Sequence, residues 1–348
     1  MIKNIAIENF IQLDATIPVA DVRTPAEFEQ GHITGAFNIP LFSNEERVQV
    51  GTAYKQVGRE QAVLLGFDLV GSKWSGFIKQ ALEIAPHRKI ALHCWRGGMR
   101  SGAMAWALNL YGFDVYLLEG GYKEYRRWVL DQFDLNYNLL ILGGMTGSGK
   151  TMILHELQKA GEQMIDLEDL AQHQGSSYGT MNKLVQPTQE QFENNLATQL
   201  YRSDKEKALW LEDESITIGK RFIPNGLWNQ MRLARLININ VPLEARVSFL
   251  VEEYGKLEKD FLIGCTQRIW KRLGPEQTKN AILAIDEGRM DDFIKHVLVY
   301  YDKTYRSGLS KRLLERIVTI VCRGNDASEN TKQILANLHK MMTPSTNH

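Results

Sequence analysis

Apolar positions along the chain alternate between short unbroken runs and stretches with a three-to-four-residue repeat, the pattern of strands feeding helices. Near the start, Ile17-Pro18-Val19-Ala20-Asp21-Val22-Arg23 is a short β-branched run ending in polar residues. Thr24 is placed to cap a helix that has Pro25 in its first position and Glu27 in its third, a capping-box arrangement. Residues 31–40 read as a glycine-punctuated turn and a short strand. Residues 44–77 add a segment containing Gly51-Thr52-Ala53-Tyr54-Lys55-Gln56-Val57-Gly58-Arg59, read either as a solvated helical excursion or as a surface presenting Lys55 and Arg59. Ile90-Ala91-Leu92-His93-Cys94 is a buried-strand run. Residues 101–111 follow as a helix with Met104, Ala105, Leu108 and Leu110 on its apolar side and Gly112 as its stop. Val115-Tyr116 is strand-like, and the charged stretch 123–134 reads as a polar bridge to a second unit. That unit opens with the strand Leu139-Leu140-Ile141-Leu142 and a helix over 152–160, ended by Gly161. Further strands are predicted over 163–166, 208–214 and 237–241, with a helix from Pro187-Thr188 to Leu200 and another after Pro242 that carries Arg246. From there the pattern is mainly helical, the cluster Tyr300-Tyr301-Asp302-Lys303-Thr304-Tyr305 reads as core packing in preference to a base-stacking surface, and residues 342–348 read as frayed.

Alternation of this kind predicts an α/β fold. With 348 residues the chain has room for two cores, and the boundary falls between 1–134 and 135–348. Charge adds little, because 41 Lys and Arg balance 41 Asp and Glu. A local basic excess lies beyond residue 221, compatible with a nucleic-acid partner. The three cysteines, Cys94, Cys265 and Cys322, are far apart and odd in number, which argues against a disulfide framework or zinc site and for a reducing compartment. No stretch has the length and hydropathy of a membrane span, and the first residues lack a secretory pattern, so a cytoplasmic protein with no membrane partner is expected.

Two loops carry the chemistry. Cys94 stands where a strand turns into a helix, within Cys94-Trp95-Arg96-Gly97-Gly98-Met99-Arg100-Ser101. Loop N–H groups, the helix N-terminus and Arg96 and Arg100 favour a thiolate there and suit a tetrahedral oxyanion. The second loop, Gly144-Met145-Thr146-Gly147-Ser148-Gly149-Lys150-Thr151, follows a strand and opens a helix, as a phosphate-binding loop requires. Its glycines let backbone N–H groups converge on a phosphate, Lys150 supplies a point charge, and Thr151 is the expected contact for a magnesium ion. The strand over 208–214 ends in carboxylates, and Asp213 or Glu214 is the candidate to hold that ion through water. Arg221, Arg232 and Arg235 are candidate RNA contacts.

Asp21-Val22-Arg23, Gly31-His32-Ile33, the Cys94 loop and the closing stretch Leu117-Leu118-Glu119-Gly120-Gly121-Tyr122-Lys123 together resemble the rhodanese domain. A rhodanese-like domain joined to a phosphate-loop NTPase-like α/β domain with a helical C-terminal part resembles the tRNA 2-selenouridine synthase family. The resemblance extends to Gly175-Ser176-Ser177-Tyr178-Gly179, Glu212-Asp213-Glu214-Ser215 with Ile218-Gly219, and Tyr300-Tyr301-Asp302-Lys303. It implies a transferase that replaces the sulfur of wobble-position 2-thiouridine in tRNA by selenium from selenophosphate, through an S-geranylated base made from geranyl diphosphate. It further implies that Cys94 receives selenium as a selenopersulfide, and that Trp95, Arg96, Gly97, Gly98, Met99, Arg100 bind selenophosphate. Gly144, Thr146, Gly147, Ser148, Gly149, Lys150 and Thr151 would grip a diphosphate or a nucleotide. No tightly bound cofactor is expected beyond magnesium.

Read without the resemblance, the Cys94 loop leaves other chemistries open. Cysteine, five residues and Arg100 also fit a cysteine phosphatase of the cell-division-cycle type, although Trp95 and Met99 are bulky for such a loop. A rhodanese-type sulfurtransferase with an ATP-dependent domain is a second alternative, and a nucleotide-sensing tRNA-binding module with an incidental cysteine a third.

Overall fold

The computed structural model describes residues 1–173, 178 and 185–342. It divides into two compact units, one of residues 1–133 with 187–198, the other of residues 134–186 with 199–348. Residues 187–198, expected with the second domain, pack within the first unit.

The first unit runs β1 (Ile2–Ile5), α1 (Ile7–Ile11), β2 (Val19–Asp21), α2 (Pro25–Gln30), β3 (Phe37–Asn38), α3 (Asn44–Gln56), α4 (Arg59–Val70), α5 (Trp74–Ile84), β4 (Lys89–His93), α6 (Met99–Leu110), β5 (Asp114–Leu118) and α7 (Gly121–Gln132). Its strands pair in parallel in the order β1-β5-β4-β2-β3. Strand β4 is central, and Ile90, Ala91 and Leu92 are wholly buried, as a strand covered on both faces demands. Cys94 is the residue that leaves its carboxyl end, where open α/β sheets place their ligands. Thr24 and Glu27 form the predicted capping box at α2, and Ser43 with Glu46 forms a second at α3.

One reading changes here and two others gain detail. The stretch 123–134 is a helix, α7, with Tyr122, Tyr125 and Val129 in the core. Most of its charged residues lie on the outer face, which makes a packed amphipathic helix look like a polar bridge. Residues 44–77 hold α3, α4 and the start of α5, which close over a cleft described below. The N-terminal residues supply β1, an edge strand of four residues too short to show a period.

The second unit runs β6 (Leu139–Gly144), α8 (Lys150–Lys159), β7 (Gln163–Ile165), α9 (Leu167–Ala171), the last residues of α10 (Gln189–Arg202), β8 (Leu209–Glu212), the hairpin β9 (Thr217–Ile218) and β10 (Arg221–Phe222), α11 (Asn225–Leu233), β11 (Arg235–Asn240), α12 (Leu243–Tyr254), α13 (Lys259–Arg268), α14 (Trp270–Leu273), α15 (Pro275–Asp286), α16 (Met290–Leu309), β12 (Ile317–Val321) and α17 (Ala327–Met342). The parallel sheet has the order β12-β11-β6-β8-β7, so β6, which feeds the phosphate loop, is again central. Helices α12 to α16 pack around Leu250, Cys265, Ala284, Phe293 and Val297 as a helical subregion. The chain then returns to the sheet as β12, a strand that the helical reading of this region did not include. Tyr178 is buried against Tyr254 and Phe293, while its neighbours Gly175, Ser176, Ser177 and Gly179 lie outside the described residues, as do 343–348. No helix among the described residues is long and apolar enough to cross a membrane.

Candidate functional site

In the first unit the motifs converge beneath one thiol. Arg23 is almost fully buried and binds Asp21 through both Nε and Nη2 (2.9 and 2.6 Å to Oδ2), while Nη2 also donates to the Gly31 carbonyl at 2.7 Å. The guanidinium stacks on the Tyr122 ring at 3.7 Å. One buried cation therefore ties Asp21-Val22-Arg23 to Gly31 and to the start of α7. His93, fully buried beside Asp21 (3.7 Å), is pushed by burial down to about 4, so its ring is neutral.

The Cys94 loop rests on Gly120 and Gly121, both in the left-handed region at φ 71° and 62°. A Cβ on Gly121 would fall inside contact distance of the Cys94 carbonyl oxygen and the Gly97 nitrogen, and 2.9 Å from the Arg96 nitrogen. The Tyr122 and Lys123 amides donate to the carbonyls of Cys94 (2.8 Å) and Trp95 (3.0 Å). The stretch 117–123 is thus the floor of the loop. Gly121→Ala combines a strained φ with this overlap. Cys94-dependent activity is expected to drop by about two orders of magnitude, from loop displacement on the ångström scale, with the circular dichroism spectrum unchanged.

Cys94 itself is buried, and its Sγ accepts from the Gly98 amide at 3.3 Å and the Ser101 hydroxyl at 3.2 Å. Burial pushes the thiol up, but Ser101 and the loop amides of Arg96 and Gly98 outweigh it and hold Cys94 below the ordinary thiol value. Helix α6 starts at Met99, so its N-terminus faces the sulfur. Arg100 is engaged by Glu27 through two bonds of 2.6 and 3.2 Å, and this pairing, against the cost of burial, lowers the Glu27 carboxyl. Arg96 is exposed, as are Trp95 and Met99. Thiolate reactivity is expected to persist below pH 9 and fade as pH drops through the lowered value. Ser101→Ala should move that midpoint upward, read from the pH dependence of Cys94 carbamidomethylation by iodoacetamide.

In the second unit Gly147 (φ 82°) and Gly149 (φ 70°) take the left-handed turns of the phosphate loop, and Gly149 caps α8. Ser148 is buried, its hydroxyl on the Met145 carbonyl at 2.5 Å. Arg246 donates to the Thr146 carbonyl (3.0 Å) and pairs with Asp302 through two bonds of 2.8 Å. Asn325 donates to the Gly147 carbonyl at 3.2 Å. Asp302, within the tyrosine-rich cluster on α16, is thereby a support of the loop as well as part of the packing.

Lys150 lies 3.3 Å from Glu212, which also accepts from the Thr151 hydroxyl at 3.1 Å. Glu168, Glu212 and Glu214 bring one carboxylate oxygen each within 4.8 Å of one another. Burial, then the Glu212 charge, raises both Glu168 and Glu214. Burial disfavours the Lys150 charge, yet Glu212, Glu214 and Glu168 together outweigh it and raise Lys150.

Of the two residues expected to hold a metal, Glu214 joins this group and Asp213 does not. Asp213 turns to Arg312 (2.6 Å) and Arg232 (3.8 Å), because neighbours at a strand end point to opposite faces. Arg232 is further occupied by the Gly308 carbonyl, so its guanidinium serves the fold. Arg221 lies on β10 and Arg235 begins β11, on elements separate from α11, which carries Arg232. Sequence reasoning gave no site role to Glu27, Ser101, Glu168, Arg246 and Asn325. Glu212 stood next to the chosen pair, and strand alternation was the signal that separates it from Asp213.

Comparison with known proteins agrees with both halves. Residues 7–127 match the rhodanese-like domain, and residues 137–340 match the tRNA 2-selenouridine synthase AAA domain. A tRNA 2-selenouridine synthase of Nitrosomonas europaea is 38% identical over 75% of this chain and 69% of its own length. That of Hydrogenovibrio crunogenus is 36% identical over 85% of this chain and 90% of its own, and that of Shewanella frigidimarina 34% identical over 85% and 89%. The fused architecture, the thiolate loop and the phosphate loop thus accompany similarity over most of the chain, and the chain belongs to the tRNA 2-selenouridine synthase family.

Proposed function

We propose that the protein converts 2-thiouridine at the wobble position of tRNA into 2-selenouridine in two stages, one at each loop. In the first stage the base sulfur attacks the C1 carbon of geranyl diphosphate. A C–S bond forms, the C–O bond breaks and diphosphate leaves. A thiocarbonyl sulfur is a poor leaving group until it is alkylated, which gives this stage its purpose. The phosphate loop suits it, because loop amides and Lys150 can take the charge that accumulates on diphosphate.

The donors beside that loop are all oxygens, from Glu168, Glu212, Glu214 and Thr151, and hard oxygen donors fit magnesium. The crowding that raises Glu168 and Glu214 is what a divalent cation relieves. When bound, magnesium would neutralise the diphosphate. Lys150, released from Glu212, would then meet the phosphates.

In the second stage the selenium of selenophosphate attacks C2 of the alkylated base and geranyl thiolate leaves. Transfer of the phosphoryl group from selenium to the Cys94 thiolate then forms an S–P bond, breaks the Se–P bond and frees 2-selenouridine. Water returns the thiol and phosphate. Selenium stays at −II and phosphorus at +V throughout. A selenopersulfide on Cys94 would require a two-electron oxidant, so the redox-neutral course is preferred.

The observation that carries the reading is the Cys94 sulfur within hydrogen-bonding reach of the Gly98 amide and Ser101 hydroxyl at a helix N-terminus, a cradle for a thiolate and a tetrahedral anion. The substrates of such a reaction, and three unpaired cysteines among the described residues, suit the cytoplasm. The test is nucleoside mass spectrometry on 2-thiouridine tRNA given geranyl diphosphate and selenophosphate. The reading expects a selenium-for-sulfur replacement that depends on both donors; replacement with selenophosphate alone would overturn it.

A further inference from the structure

A cleft of about 560 Å³ opens in the first unit between α3, α4, α5 and the first turns of α6. That size lies in the ~300–1,000 Å³ range of small-molecule sites. Its wall is predominantly apolar, with Leu41, Phe42, Val63, Phe67, Val70 and Trp74 among the lining residues.

Three glycines make the space. Gly51 in α3, Gly66 in α4 and Gly102 in α6 all line it, each inside a helix where glycine is worse than alanine by ~1 kcal/mol. None of the three has a positive φ, so the backbone does not require them. A Cβ on Gly102 would meet nothing within 4 Å, and on Gly66 it would only touch the Phe42 ring at 3.4 Å. What the glycines provide is room. Around it stand three cations, Arg47, Lys55 and Arg100, and the α6 residues at its edge, Met99 and Arg100, belong to the Cys94 loop itself.

We infer that this cleft receives the geranyl chain of the S-alkylated base, so that C2 of the base is presented to the anion held at Cys94. The inference rests on the two-stage reading above. The chemistry calls for an apolar chain carried on a polyanion, and an apolar slot rimmed by arginine and lysine matches both parts. The placement beside the Cys94 loop selects the alkylated base over free geranyl diphosphate, whose diphosphate belongs to the phosphate loop in that reading. The chain then departs as geranyl thiol, and the slot distinguishes alkylated from unalkylated tRNA.

Two variants fill the slot from different walls, Gly102→Leu from α6 and Val63→Phe from α4. The full-length protein is titrated calorimetrically with the nucleosides S-geranyl-2-thiouridine and 2-thiouridine, and each variant is assayed on pre-geranylated tRNA with selenophosphate. Wild type should bind the geranylated nucleoside at least tenfold more tightly than 2-thiouridine. Both variants should lose that preference and slow selenium replacement at least tenfold, while still geranylating 2-thiouridine tRNA and unfolding at the wild-type temperature. Equal binding of the two nucleosides by wild type, or undiminished replacement in both variants, would overturn the inference. Loss of geranylation in the variants would also overturn it, by assigning the slot to the donor. Failure of wild type to install selenium at all would instead overturn the two-stage reading.

Discussion

Replacing Cys94 by alanine is expected to reduce 2-selenouridine formation by about 10³-fold or more, the scale at which loss of a nucleophile is felt. Geranylation of the same tRNA should continue. The sulfur is the focus of the first unit: β4 delivers it, Gly98 and Ser101 stabilise its anion, and Gly121 holds up the loop from beneath. None of those groups can replace a thiolate as phosphoryl acceptor. The tRNA should therefore accumulate as the geranylated base and its selenophosphate adduct, both separable by mass. Cys94→Ala with a wild-type yield of 2-selenouridine would remove the thiol from the mechanism.

Lys150→Ala should have the opposite profile. Geranylation is expected to fall about 10²- to 10³-fold, the usual loss when a charge-stabilising donor is removed. Selenium replacement on pre-geranylated tRNA should proceed at the wild-type rate. The substitution also leaves Glu212, Glu168 and Glu214 without their cation, so added magnesium should raise the melting temperature of this variant more than that of wild type. Equal loss of both stages in Lys150→Ala would contradict the division of labour between the loops.

The strands and loops that place the chemistry were legible because their signals are local. A wholly apolar run before Cys94, the capping box at Thr24 and the glycine spacing of the phosphate loop each lie within a dozen residues. The features that escaped depend on contacts far apart in sequence. Asp302 looks like part of an aromatic cluster until Arg246 brings it beneath Thr146. Glu168 has no motif of its own and joins Glu212 and Glu214 only through the order of the sheet. Asp213 and Glu214 are adjacent in sequence; strand alternation separates them, and the structure supplies the partners, Arg312 for one and Lys150 for the other. The α7 helix was obscured by the charge on its outer face. The residues of 44–77 offered no period strong enough to show that they enclose a cleft, although Gly51 and Gly66 inside helical stretches were the visible trace of it.

The most direct test of the two-stage account is a time course of nucleoside composition. Wild-type protein is mixed with 2-thiouridine tRNA, geranyl diphosphate and selenophosphate, and samples are digested and weighed by mass spectrometry. S-geranyl-2-thiouridine should rise first and fall as 2-selenouridine appears, with geranyl thiol released in equal amount. Appearance of 2-selenouridine without a geranylated precursor, or at the same rate when geranyl diphosphate is omitted, would contradict the account.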